Sequence, residues 1–262
     1  MGTADLTDAT ACRAMRPTAG ALGPWRHNDR ARHSDDMAPR FEWSSLGVVW
    51  GMALIAVGLT AWQVRVDQSV FARFFGPLDP TTTMIGAVVV GAFAMGHLQR
   101  TSTFAVIGPG TSRAGFAVVA ISVPLLAAAA IAADTILRFP VDMNVALPDA
   151  LRFYPAIAVF VESAFHVIPL TALVAVLGAP RAIDWTFWRI AVPVAAIEAV
   201  LQAAYATSFG TQAFSAVHLL VFGVVQVWIF WRFGFVWMLG FRLAYYLLWH
   251  IGWGVARLEV FF

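Results

Sequence analysis

Residues 114–134 read AGFAVVAISVPLLAAAAIAAD. Twenty of them in succession, 114–133, carry no charge. About 20 apolar residues are what a helix needs to cross the hydrocarbon core of a bilayer. Working outward, the 262-residue chain repeats this pattern. Spans are expected at about 46–64, 82–98, 114–134, 153–178, 190–208, 213–231 and 235–256. The breaks carry turn residues: Gly76-Pro77, Asp79-Pro80, Gly108-Pro109-Gly110, Pro140 to Pro148, and Gly178-Ala179-Pro180. Helices satisfy their own backbone in lipid. The expected fold class is therefore all-α, a polytopic membrane helical bundle of about seven transmembrane helices.

Composition agrees. Hydrophobic residues make up 60% of the chain, charged residues 12%, and the mean hydropathy is +0.74. A soluble domain averages about a quarter charged residues. Disorder, collagen-like and low-complexity classes are excluded by the 14% aromatic content. All 17 basic residues are Arg, and they are scattered, so no nucleic-acid partner is expected. The single cysteine, Cys12, permits neither a disulfide framework nor a Cys-based metal site. Any metal must use His and carboxylate ligands.

Residues 1–41 hold six Arg, five Asp and two His, and no apolar run. They lack the apolar core of a signal peptide. A disordered cytoplasmic tail is expected; a translation start at Met37 is the alternative. His27 and His33 are not expected at a site. Beyond the tail, residues 42–148 form the N-terminal helices and 149–262 the C-terminal helical core. With the N-terminus inside, the inner segments and the tail carry eleven Arg and the outer loops five, namely Arg65, Arg73, Arg138, Arg152 and Arg257. That asymmetry favours a cytoplasmic N-terminus. No internal repeat is evident.

Ionisable groups inside a bilayer are costly, so each is a functional hypothesis by default. His97 and Asp134 stand at span ends and read as solvated. Six others lie in the last four spans: Glu162, His166, Glu198, His218, Arg242 and His250. Glu162 and His166 are four apart and share a helix face. They suit one metal, a base with its orienting partner, or a purely structural hydrogen bond. His218 and His250 read either as metal ligands or as interfacial residues; Trp249 and Trp253 fit an aromatic belt beside His250. Arg242, Tyr246 and His250 form a stripe at i, i+4, i+8. Arg242 needs a carboxylate, and Glu198 in mid-span is the expected structural ion-pair partner.

The C-terminal half, about 150–256, resembles the CPBP family of CAAX-prenyl-protease and Abi-type intramembrane metalloproteases. That family carries E-E-x-x-x-R on one helix, F-x-x-x-H on a second and H-x-x-x-N/D on a later one. Val161-Glu162-Ser163-Ala164-Phe165-His166 is similar to the first motif, with Val161 replacing the first Glu and His166 the Arg. The helix from Gly223 to Gly234 is similar to the glycine-spaced helix before the third motif. Two registers stay open for the rest. Spacing places the third motif on Arg242 to Tyr246 and the second near Leu201 to Tyr205. Chemistry prefers Phe214 to His218 and His250 to Gly254.

The resemblance implies a peptidase in which His218, His250 and His166 hold a divalent metal such as zinc. Glu162 would be the general base. Membrane lipid, and a membrane-protein or prenylated-peptide substrate, would be the partners. The alternative is a catalytically inactive relative that binds or scaffolds within the membrane. A small transporter or channel is disfavoured, since no broken-helix pair or acidic ring is visible.

Overall fold

The structure is a computed structural model that describes residues 43–101, 104–108, 112–206 and 208–261. The expectation for the tail, 1–41, lies outside them. Among the described residues there are helices and loops and no strand. In chain order, α1 is Trp43–Asp67, α2 Ser69–Phe75, α3 Pro80–Thr101 and α4 Ser112–Leu137. Next come α5 (Ala150–Leu177), α6 (Trp185–Ala204) and α7 (Phe209–Phe233). Finally α8 opens as Phe235–Tyr245, passes through a π-helical stretch, Tyr246–Trp253, and finishes as Gly254–Phe261.

Among the described residues, six helices are long and apolar enough to cross a membrane: those within α1, α3, α4, α5, α6 and α7. Their outer faces expose Leu54, Phe93, Leu125 and Val200, as a lipid-facing surface does. The seventh expected span lies in α8 and is not among the six. Arg242, Tyr245, Tyr246 and His250 dilute its apolar character. The compensation is position. No residue from 235 to 246 is exposed, because α8 packs against α7, α4 and α5. A helix shielded by protein can carry polar groups that lipid would exclude. Helices from both sides of residue 148 share the bundle, with α1 packed on α5 and α4 on α8.

Local chemistry fixes the helix ends. Asp79 accepts from the Thr82 amide at 2.7 Å, and Asp184 from the Phe187 amide at 3.0 Å. Ser208 and Thr211 cap α7 reciprocally. Between α7 and α8 the chain turns at Gly234, whose φ of 101° suits glycine. There the Phe235 and Val236 amides donate to the Ala105 and Val106 carbonyls, and the Gly108 amide to Phe233. A Cβ on Gly108 would sit 2.6 Å from the Phe233 carbonyl oxygen, which accounts for one glycine of the 108–110 break.

Asp134 is not a solvated end, and Arg257 is not a free loop charge; both are wholly buried. Arg257 donates from Nε and Nη2 to both Asp134 oxygens, at 2.7 and 3.0 Å. It also donates to the carbonyls of Phe139 (2.6 Å) and Pro140 (2.9 Å). Asp134 further accepts from the Trp253 indole at 2.7 Å and from the Phe139 amide at 2.8 Å. The loop after α4 folds back over Asp134 and removes it from solvent. This latch ties α4, that loop and the end of α8 together.

Asp134→Ala should lower stability by roughly 3–5 kcal/mol, because it strands a buried guanidinium. Thermal unfolding of the full chain in detergent micelles measures this. The double variant Asp134→Leu with Arg257→Met should recover much of the loss, since neither charge is then left alone.

Candidate functional site: an ion cluster beneath an aromatic cavity

Both halves of the site are built on π-helical turns. Glu162–Val167 interrupts α5, and Tyr246–Trp253 interrupts α8. Such turns are uncommon and occur often at functional sites. The first carries Glu162 and His166, the second Tyr246 and His250.

Arg242 is the centre. Its Nε donates to Glu162 Oε1 at 2.6 Å. Its Nη1 donates to Glu198 Oε1 at 2.9 Å and to the Tyr246 hydroxyl at 3.0 Å. Its Nη2 donates to Glu198 Oε2 at 2.6 Å and to Gln226 Oε1 at 2.7 Å. A guanidinium has five N–H donors, and all five are used. Glu198 is gripped in the two-pronged geometry that makes Arg–carboxylate pairs strong. The expectation that Arg242 needs a carboxylate meets a structure in which it has two.

Glu162 Oε1 also accepts from the Gln226 side-chain amide. Its other oxygen, Oε2, faces His166 Nδ1 at 3.3 Å. That oxygen and both ring nitrogens of His166 have no hydrogen-bond partner among the described residues. Glu162, His166 and Gln226 are fully buried, and Glu198 and Arg242 nearly so. The cluster thus brings two carboxylates, one guanidinium and one imidazole together out of solvent.

Above the cluster lies a cavity of about 590 Å³. Asp142, Ala146 and Tyr205 on its wall are exposed, so it opens at the end of the bundle where the 138–149 segment and residues 205–206 lie. Its walls continue to Val161, eleven residues past Ala150. At 1.5 Å per residue that is roughly 16 Å along α5, about half the hydrocarbon thickness. Glu198, Phe222 and Arg242 also line it. Glu162 and His166 do not.

The six ionisable residues therefore divide. His218 and His250 line the cavity, whereas Glu162 and His166 stand in the cluster. His218 Nε2 pairs with the Tyr245 hydroxyl at 3.0 Å, and its ring stacks on Phe214. His250 Nδ1 pairs with Asn144 Oδ1 at 2.8 Å, and its ring stacks on Tyr154. No group of three His, Cys, Asp or Glu placed to hold a metal ion occurs among the described residues. The metal set of His166, His218 and His250 is thus not assembled around Glu162. The physical reason is the guanidinium, which takes the carboxylate for itself. The residues present do not fit a zinc centre of that kind.

Sequence reasoning missed Gln226, Asn144 and Tyr245. A survey of charged residues passes over neutral amides and phenols, yet these complete the network. The signal was present, since Gln226 is a lone amide within Gly223-Val-Val-Gln-Val-Trp.

Gln226→Leu removes one acceptor from Arg242 and one donor from Glu162. Each buried group left unsatisfied costs roughly 1–3 kcal/mol, so a clear fall in unfolding temperature is expected in micelles. Gln226→Glu should be worse, because it adds a third carboxylate. If either variant matched the parent, the cluster would not be the cohesive unit described.

No family model, curated protein or solved structure matches the chain.

Proposed function

We propose that this is a membrane-embedded binding protein built on a CPBP-like core, and not a working peptidase. The position of Glu162 carries the reading. A general base must reach water beside its substrate. Glu162 instead is fully buried, hydrogen-bonded by Arg242 and Gln226, and absent from the cavity wall.

The resemblance adds a second support. In the register favoured by spacing, Arg242 and Tyr246 stand where active relatives would have His and Asn or Asp. Both side chains meet in the cluster at 3.0 Å. A guanidinium there neutralises carboxylates that a metal would otherwise attract, and it offers no bound water to activate. What remains open to ligand is the cavity. Its volume lies within the roughly 300–1,000 Å³ of small-molecule sites. We place the N-terminus on the cytoplasmic side from the distribution of Arg, so the cavity opens on the opposite face.

Purified full-length protein, supplied with zinc and a fluorogenic membrane peptide, should release no product above the Glu162→Gln variant. A parallel assay with a prenylated peptide should give the same result. Chelator-sensitive cleavage that disappears in Glu162→Gln would overturn the reading in favour of an intramembrane metallopeptidase.

A further inference from the structure

We infer that the cavity binds a neutral lipophilic phenol, an aryl ring bearing a hydroxyl group and apolar substituents. The inference rests on the binding reading above and names the class of ligand.

The charged groups of the wall call for no counter-ion. Glu198 is held by Arg242 at 2.9 and 2.6 Å. All five N–H groups of that guanidinium are committed. Asp149 is paired with Arg152, and Asp142 has a partner too. What α7 adds is neutral. Ser215 and His218 stand three residues apart on one helix face, and both line the cavity. His218 spends Nε2 on the Tyr245 hydroxyl at 3.0 Å. Its Nδ1 has no partner among the described residues and is not sealed by protein. Only 8% of the residue is exposed, so that edge opens on the cavity. The Ser215 hydroxyl also has no partner among the described residues. A ligand lodged against this face must bring a hydrogen-bonding group of its own or leave both unpaired.

The pair selects the group. The bond between His218 and Tyr245 can run in either direction. With Nε2 accepting, Nδ1 carries the proton and donates; with Nε2 donating, Nδ1 accepts. A ligand hydroxyl both donates and accepts, so it fits either tautomer, whereas a ketone or an ether fits one. Ser215 takes the complementary role by rotating its hydroxyl.

The surroundings select the body of the ligand. Eleven of the 32 wall residues are Phe, Tyr or Trp, about a third, against 14% in the whole chain. Phe214 stacks on His218, Phe222 packs on Tyr245, and Phe139 bridges Phe214 to Trp249. Aromatic side chains therefore flank the polar edge, and aromatic pairs gain beyond the area they bury. Ile157, Val161 and Leu219 give apolar wall for the substituents. A hydroxyl on an aryl ring suits this space better than a sugar or a nucleotide, which carry many more polar groups. A fatty acid would bring a charge that meets no free donor on Arg242.

Three probes test this. They are para-phenylphenol; para-methylbiphenyl, in which a methyl group replaces the hydroxyl; and dodecanol, which has the same carbon count and no ring. Binding is measured by equilibrium dialysis against the full chain in nonionic detergent micelles, with empty micelles subtracted. The phenol should bind saturably, one per chain, and roughly threefold to tenfold tighter than either other probe. Ser215→Ala and His218→Phe should each weaken the phenol roughly twofold to tenfold and leave para-methylbiphenyl unchanged. The unchanged hydrocarbon shows that the cavity survives; should His218→Phe fail to fold, Ser215→Ala carries the same comparison. Equal affinity for the phenol and para-methylbiphenyl, or a phenol advantage that survives the substitutions, would overturn the hydroxyl assignment. Dodecanol as tight as the phenol would overturn the aryl assignment. In both cases the binding reading stands. A phenol that does not saturate overturns the inference whole. The non-hydrolytic reading is judged separately by the peptide assay.

Discussion

A guanidinium at membrane depth must be neutralised and must have its five donors satisfied. Arg242 meets both demands with Glu162, Glu198, Gln226 and Tyr246. Those partners come from four different helices, so one side chain fixes how α5, α6, α7 and α8 meet. The requirement also explains why no residue from 235 to 246 in α8 is exposed. A stretch carrying Arg242 cannot face lipid, and α7, α4 and α5 pack against it. Buried ion pairs of this kind contribute less to net stability than to uniqueness of the arrangement, because desolvation offsets much of the attraction. Removing one partner is nonetheless severe.

The cluster and the cavity are consequences of each other. The π-helical turn in α5 brings Glu162 and His166 to the protein side of the cavity floor. The turn in α8 puts Tyr246 against Arg242 and His250 on the cavity wall. With Glu162 held by Arg242, that carboxylate is absent from the cavity wall. The cavity keeps its aromatic walls.

Much of the architecture is legible in the sequence, because each span announces itself by some twenty apolar residues between Arg, Pro and Gly. The pairing of Arg242 is legible for the same reason, since so few counter-charges exist at its depth. Asp134 and Arg257 were not. Their position near span ends reads as solvated, and only the fold-back of Phe139 and Pro140 makes them buried. The two cavity histidines were hard to place because their partners, Tyr245 and Asn144, are neutral and one of them sits in a loop. The metal set turns on a similar point. Spacing and depth permit His218, His250 and Glu162 to converge, but the competition of Arg242 for Glu162 depends on the rotation of α8 against α5.

The central claim is that Glu162 and Arg242 act as one unit. A double-mutant cycle with Glu162→Gln, Arg242→Met and the combined variant measures this directly by unfolding in micelles. The account predicts that the double variant is less damaged than the sum of the singles, with a coupling of about 1–3 kcal/mol. Additivity within about 0.5 kcal/mol would contradict it and return Glu162 to the role of an unengaged carboxylate.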